Sequence, residues 1–341
     1  MSTLFTINAC KTFGCRNLGL ASSEDYSWPD YKLGYPALHC RACGSYPPLF
    51  DEQQFRDWLS VHLSTNCKKV WTPKKYQKEI THPQAIETVQ LFIPFQGASA
   101  VQKLYVLVSL DATRGNILHL STNYTQHQTG DSLRYSYKGN TEPTMHHRDI
   151  VQKVDMREAQ FLRRSQFDEI QYGSAVLKRN GKGAILRPVI TAHGHFRILK
   201  IRYPDVKTHI ISHECFLRGA IITAWADQFR QQQGELWFVE EEISDSNADT
   251  PWHFKGTTYH GWWQNQWQRW EQGNNCKMVC LLTGASLERG ANVSLATSRC
   301  FITWLTDQHD FTQSALLSAG RVTQMLTSLA LKYNESLTPS C

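Results

Sequence analysis

The chain has 341 residues, 36 basic and 30 acidic side chains, a net charge of +6 and 41% hydrophobic residues. That apolar content excludes a wholly disordered chain. Apolar runs as short as Leu104 to Val108 and Met278 to Leu282 exclude a membrane-spanning helix. The N-terminus MSTLFTINACKTFGC lacks the basic and long apolar regions of a secretory signal, so the expected compartment is the cytoplasm. There, ten cysteines read as thiols or metal ligands rather than disulfides.

Residues 1–50 hold four cysteines among turn residues with little periodicity, which suggests a small module without a hydrophobic core of its own. Cys10-x4-Cys15 and Cys40-x2-Cys43 supply four thiolates, as many as tetrahedral zinc requires, and a site with four thiolate ligands is closed and structural. The alternative is four independent thiols. Residues 51–100 read as a helical segment. Phe55, Trp58, Leu59 and Leu63 fall at helical spacing with Asp51 as N-cap, and a second helix is expected between Lys68 and Gln90, after Thr81-His82-Pro83.

Residues 101–335 read as a mixed α/β domain. Lys103 to Tyr124 is two β-rich runs joined by Ala112 to Asn116, a hairpin. Helix follows over Asp149 to Phe167 and strand over Ala184 to Ile201. An amphipathic helix is expected over His213 to Gln232, strands at Leu236 to Val239 and Met278 to Leu282, and a last helix from Phe311 to Lys332. Trp262, Trp263, Trp267 and Trp270 are read at helical spacing. Basic side chains cluster in Cys67 to Lys78, Arg157 to Phe167 and Leu177 to Arg187, and acidic ones in Gly234 to Asp249. Such runs are solvated faces or phosphate contacts.

The segments CKTFGCRNLG and LGYPALHCRACGSYPPL resemble the zinc-ribbon head that precedes DNA-binding helices in bacterial insertion-sequence transposases. The similarity covers about the first 65 residues. It implies DNA as the partner, with no membrane involved and oligomer formation left open. YVLVSLDATRGNILHLSTNY resembles the first two strands of the ribonuclease-H-like core of such transposases, where an aspartate on the first strand binds a catalytic divalent cation. Asp111 holds the matching position. Two Mg²⁺ ions held by converging carboxylates would activate the attacking group and stabilise the leaving oxygen. Glu240, Glu241, Glu242 and Asp245 follow a strand, and Glu271 or Glu288 could complete the set. The resemblance therefore implies Asp111, Glu240, Glu242 and Glu271 as catalytic residues. It departs from the family at the second position, usually aspartate, where this strand runs first into Glu240. A degenerate relative that binds without catalysing, acting as a regulator or interaction protein, is the other reading. A third is a metallohydrolase built on His193 and His195, on alternate positions of a strand, with His209 and His213 on one helical face.

Overall fold

The computed structural model describes residues 7–20, 23–30, 37–47, 49–50, 52, 55–56, 59–60, 82–97, 99–126, 149–164, 183–245, 250–261, 264–283 and 287–337. The basic runs at 67–78 and 177–182 and the pair Trp262-Trp263 lie outside the described residues.

The molecule is a mixed α/β structure around an eight-stranded sheet, preceded by a two-stranded hairpin of β1 (Tyr26–Asp30) and β2 (Ala37–Cys40). Three strands open the large sheet as an antiparallel meander: β3 (Ala85–Gln96), β4 (Val101–Asp111) and β5 (Ile117–Thr122). A short pair, β6 (Tyr124–Thr125) with β7 (Ala184–Ile185), brackets helix α1 (Ile150–Arg164). Helix α2 (Pro188–Arg202) leads into β8 (Thr208–Ser212), which lies parallel to β3. Helices α3 (Cys215–Ala224) and α4 (Ala226–Arg230) lead into β9 (Glu235–Glu242), parallel to β8. A second antiparallel meander follows: β10 (His253–His260), β11 (Asn265–Gln272) and β12 (Asn275–Thr283), the last pairing with β9. Helices α5 (Ala296–Thr306), α6 (His309–Thr312) and α7 (Ala319–Ser336) close the chain. The strand order is β10-β11-β12-β9-β8-β3-β4-β5.

Each face of the sheet buries its own apolar cluster. One gathers Ile86, Leu107, Phe238, Trp267 and Met278 under α1 to α4. The other gathers Val89, Val108, Trp237, Val239 and Val279 under α5 and α7. The alternation along β9, with Phe238 on one face and Trp237 and Val239 on the other, is the two-residue period of a strand covered on both sides.

Several expectations are corrected. In place of the helix expected after Thr81-His82-Pro83, within Lys68 to Gln90, β3 runs from Ala85 onward, rich in β-branched and aromatic residues, and residues 68–81 lie outside the described residues. Ala184 to Ile201 is mostly helix α2, which starts on Pro188 in the first turn and buries residues all round, Val189 to Phe196 without a break. A helix buried on every side has no polar face, so its sequence shows no 3.6-residue period. The tryptophan-rich run is strand β11, with Trp267 in one core and Trp270 packed against the other. The helix expected from Phe311 starts later, at Ala319.

The N-terminal module docks on the face that carries α2 and α3. Ile7, Leu18, Phe55 and Leu59 join the same buried cluster as Phe196 and Leu217. Arg230 donates to the Leu18 carbonyl at 2.6 Å, and Phe13 meets Phe229 edge-on at 6.0 Å. Gly19, at φ +67°, comes so close to α4 that a Cβ there would sit 2.1 Å from the Cβ of Ala226, a position open only to glycine.

Candidate functional site

The four cysteines of the sequence pattern converge. Their sulfurs all lie within 4.8 Å of one another, and this is the group of metal-ligating side chains that assembles among the described residues. Cys10 and Cys43 are 3.6 Å apart at Sγ, and Cys15 and Cys40 are 3.8 Å apart. A tetrahedral ion with metal–sulfur bonds of about 2.3 Å requires sulfur spacings of about 3.8 Å. The geometry therefore fits a structural metal.

Local structure explains the convergence. The Cys10-to-Leu18 bridge folds the first pair back on itself, and β2 delivers Cys40 at its end, with the Gly44 N–H returning to the Cys40 carbonyl at 2.8 Å. Backbone N–H groups point at the sulfurs: Thr12 donates to Cys10 (3.5 Å) and Asn17 to Cys15 (3.4 Å), while the Asn17 amide donates to Cys40 (3.5 Å). Donors aimed at sulfur favour thiolates over thiols. Tyr26 holds the hairpin to the first knuckle; its hydroxyl accepts the Cys10 N–H at 2.9 Å and donates to the Leu20 carbonyl at 2.6 Å. Burial pushes the Cys10 thiol up and the Cys15 thiol up to about 12. For Cys43 burial acts in the same sense, but hydrogen bonds from the Ser45 hydroxyl and backbone outweigh it and bring the thiol down to about 6. Four neighbouring sulfurs cannot all ionise without a positive ion among them, which is the service a metal performs.

The carboxylates expected for Mg²⁺ do not meet. Asp111 is 5% exposed, and its Oδ1 accepts the N–H groups of Thr113 (2.9 Å) and Arg114 (3.1 Å). It caps the β4–β5 turn. In the sheet Asp111 stands level with Ile86, His209 and Leu236. Glu240 is four residues further along β9 and three strands away, which puts the two about 14 Å apart across the sheet and about 13 Å along it. Glu240 Oε2 lies 3.5 Å from Arg157 Nε, Glu242 pairs with Lys153, and Glu271 pairs with Arg269 at 2.8 Å and Lys255 at 3.4 Å. Glu242 and Glu271 are level through Cys276, but two strand spacings, about 10 Å, separate them.

The histidines do not converge either. His193 and His195 lie on helix α2, not on a strand, and His209 lies on β8 with His213 just beyond it. His195 joins a buried hydroxyl chain, with Nε2 2.8 Å from Ser109 Oγ and Nδ1 3.0 Å from Ser121 Oγ. His209 packs on Trp225 with ring centroids 4.3 Å apart. Burial drives both imidazoles from 6.5 down to about 3, so both are neutral. His213 Nε2 is 3.3 Å from Glu158 Oε1.

Glu158, like Glu87, is a buried carboxylate that the sequence did not point to. It accepts from both Asn265 contacts (3.0 and 3.1 Å) and from the Trp267 indole (3.3 Å), and it is 1% exposed. It sits one position after Arg157 in an ordinary-looking helical run, so no signal in the sequence sets it apart. Among the described residues no helix is long and apolar enough to cross a membrane. No protein-family model matches the chain, and no curated protein matches it.

Proposed function

We propose that the chain is a zinc-ribbon DNA-binding protein related to transposases, with zinc as the structural metal of Cys10, Cys15, Cys40 and Cys43. The observation that carries the reading is the tetrahedral sulfur spacing in a ribbon that presents arginines outward. Arg16, with a side chain 78% exposed and 4.0 Å from Asp25, and the exposed Arg41 adjoin the cysteines in the chain, and Arg56, 48% exposed on the segment that follows, pairs with Glu52. Phosphate contacts of this kind position a protein on DNA without reading its sequence. Support for a ribonuclease-H-like core comes from the order β5-β4-β3-β8-β9: a three-strand antiparallel meander whose first strand is followed by two parallel neighbours, each reached through helices. That order corresponds to 3-2-1-4-5 in the strand sequence of such cores. On this reading the core's first strand is β3, not the strand carrying Asp111.

The non-enzymatic reading is favoured over phosphodiester transfer by one specific observation. Asp111 is engaged in its own turn, and Glu240, Glu242 and Glu271 each face a cation of the chain. The test is DNA mobility shift and Mg²⁺-dependent nicking with the metal-loaded chain, beside Asp111→Asn and Cys40→Ser/Cys43→Ser. Expected are retarded DNA that weakens as salt rises, no nicking, and loss of the shift in the cysteine variant. Nicking abolished by Asp111→Asn would overturn the non-enzymatic reading. Absence of any shift at low salt would overturn DNA binding.

A further inference from the structure

A cavity of about 340 Å³ lies in the seam between the cysteine module and the core. Phe13, Tyr46 and Phe50 wall it on the module side, and Phe216, Phe238 and Leu282 on the core side. The polar groups are cationic or neutral: Lys11 from the module, Arg218 from α3 and His193 from α2, with no aspartate or glutamate among the described lining residues. Both cations are held over rings, Lys11 Nζ 4.5 Å from the Phe50 centroid and Arg218 Cζ 4.9 Å from that of Phe13. Gly219 makes room for this, since a Cβ there would stand 3.1 Å from Lys11 Cδ.

One further feature points to a ligand. His193 is 3% exposed, lines the cavity, and its Nε2 has no hydrogen-bond partner; a buried polar atom left bare costs about 1–3 kcal/mol unless something bonds to it. Aromatic walls, two cations and one bare imidazole suit a ligand with a flat ring and a phosphate.

We propose that the seam cavity binds a nucleoside monophosphate or a ligand of that chemistry. Lys11 and Arg218 hold the phosphate, the aromatic walls hold the ring, and His193 Nε2 bonds to the ligand. The site is separate from the arginines proposed to contact DNA, so either assignment can fail while the other stands.

Titration calorimetry of the full metal-loaded chain with adenosine 5′-monophosphate tests this, beside adenosine, ribose 5-phosphate and inorganic phosphate. The expected result is one saturable site at which the nucleotide binds at least about tenfold more tightly than any fragment. Arg218→Gln should weaken it by about tenfold or more, and Leu282→Trp, which fills the cavity and leaves the charges in place, should abolish it. Each variant is checked for unchanged metal content and far-ultraviolet circular dichroism; should Arg218→Gln fail to fold, Leu282→Trp and Lys11→Gln decide. No binding at millimolar nucleotide would overturn the proposal. So would phosphate binding as tightly as the nucleotide, or folded variants binding as the wild type does.

Discussion

The N-terminal module and the α/β core solve the same problem with different materials. The module's own buried cluster is Cys10, Cys15, Tyr26, Leu38 and Cys40, with Leu49 packed against it, too few apolar groups to offset the entropy of ordering the chain. Its sulfurs take the place of a core, and a metal would supply the cohesion. The core has two large apolar clusters and buries polar groups in two ways, some hydrogen-bonded, as His195 and Glu158 are, and some packed on rings, as His209 is on Trp225. The contrast teaches that a histidine or glutamate in this chain is a weak sign of chemistry, while a cysteine pair is a strong one.

The contrast can be broken most forcefully at the metal. Cys40→Ser/Cys43→Ser should release the bound ion and remove on the order of 10 kcal/mol of metal-linked folding energy from the module, measured as lost metal content and lost tertiary signal near the ribbon. Retention of a full equivalent would sink the assignment. The core should respond to acid instead. His195 and His209 are neutral in the fold, their pKa values pushed from 6.5 to about 3 by burial, so the unfolded chain takes up protons first. The stabilisation is complete above pH 6.5 and declines as pH falls towards 3. Between pH 7 and pH 5 each contributes a loss of about 2 kcal/mol, read by denaturant melts, and His209→Phe should remove about one such contribution.

Comparable to the two histidines together is Glu158→Ala. It strips the shared acceptor from Asn265, Trp267 and His213 and should cost about 3–5 kcal/mol, with a lowered midpoint and unchanged metal content. An unchanged midpoint would show that these donors find other partners. The smallest effect is expected for Asp111→Asn, because an asparagine side-chain oxygen can accept the same two turn N–H groups. A change below about 0.5 kcal/mol is expected, and a loss of several would mean that Asp111 does more than cap a turn.

The sequence carried the cysteine site because spacing alone nearly determines it: two short-range pairs need only a single hairpin to meet. It carried the α/β alternation, the β4–β5 hairpin and helix α1 for the same reason, since local periodicity writes those elements. It failed where burial is complete or partners are remote. Helix α2 is apolar on all sides and so has no period to read, which turned His193 and His195 into apparent strand neighbours. Strand β3, which joins the first meander to the parallel strand β8, follows a long polar stretch that suggested helix. The carboxylate set failed because it depended on which strand ends share an edge. Asp111 closes β4 at the level where β8 and β9 begin, whereas Glu240 and Glu242 lie at the far end of β9, a fact of topology that no motif spacing contains. The seam cavity was invisible for a related reason: Lys11, His193 and Arg218 come from three distant segments.

The close approach of Gly19 to Ala226 has a bearing on how the two regions could ever have been joined. Only the Ala226 methyl stands between the two backbones, so any side chain at position 19 would push the module off α4. A ribbon transplanted from another protein would have to present a bare backbone at the same point or stand off by a full side chain. The hydrogen at position 19 thus acts together with the Arg230–Leu18 bond and the Phe13–Phe229 contact in seating the module on the core.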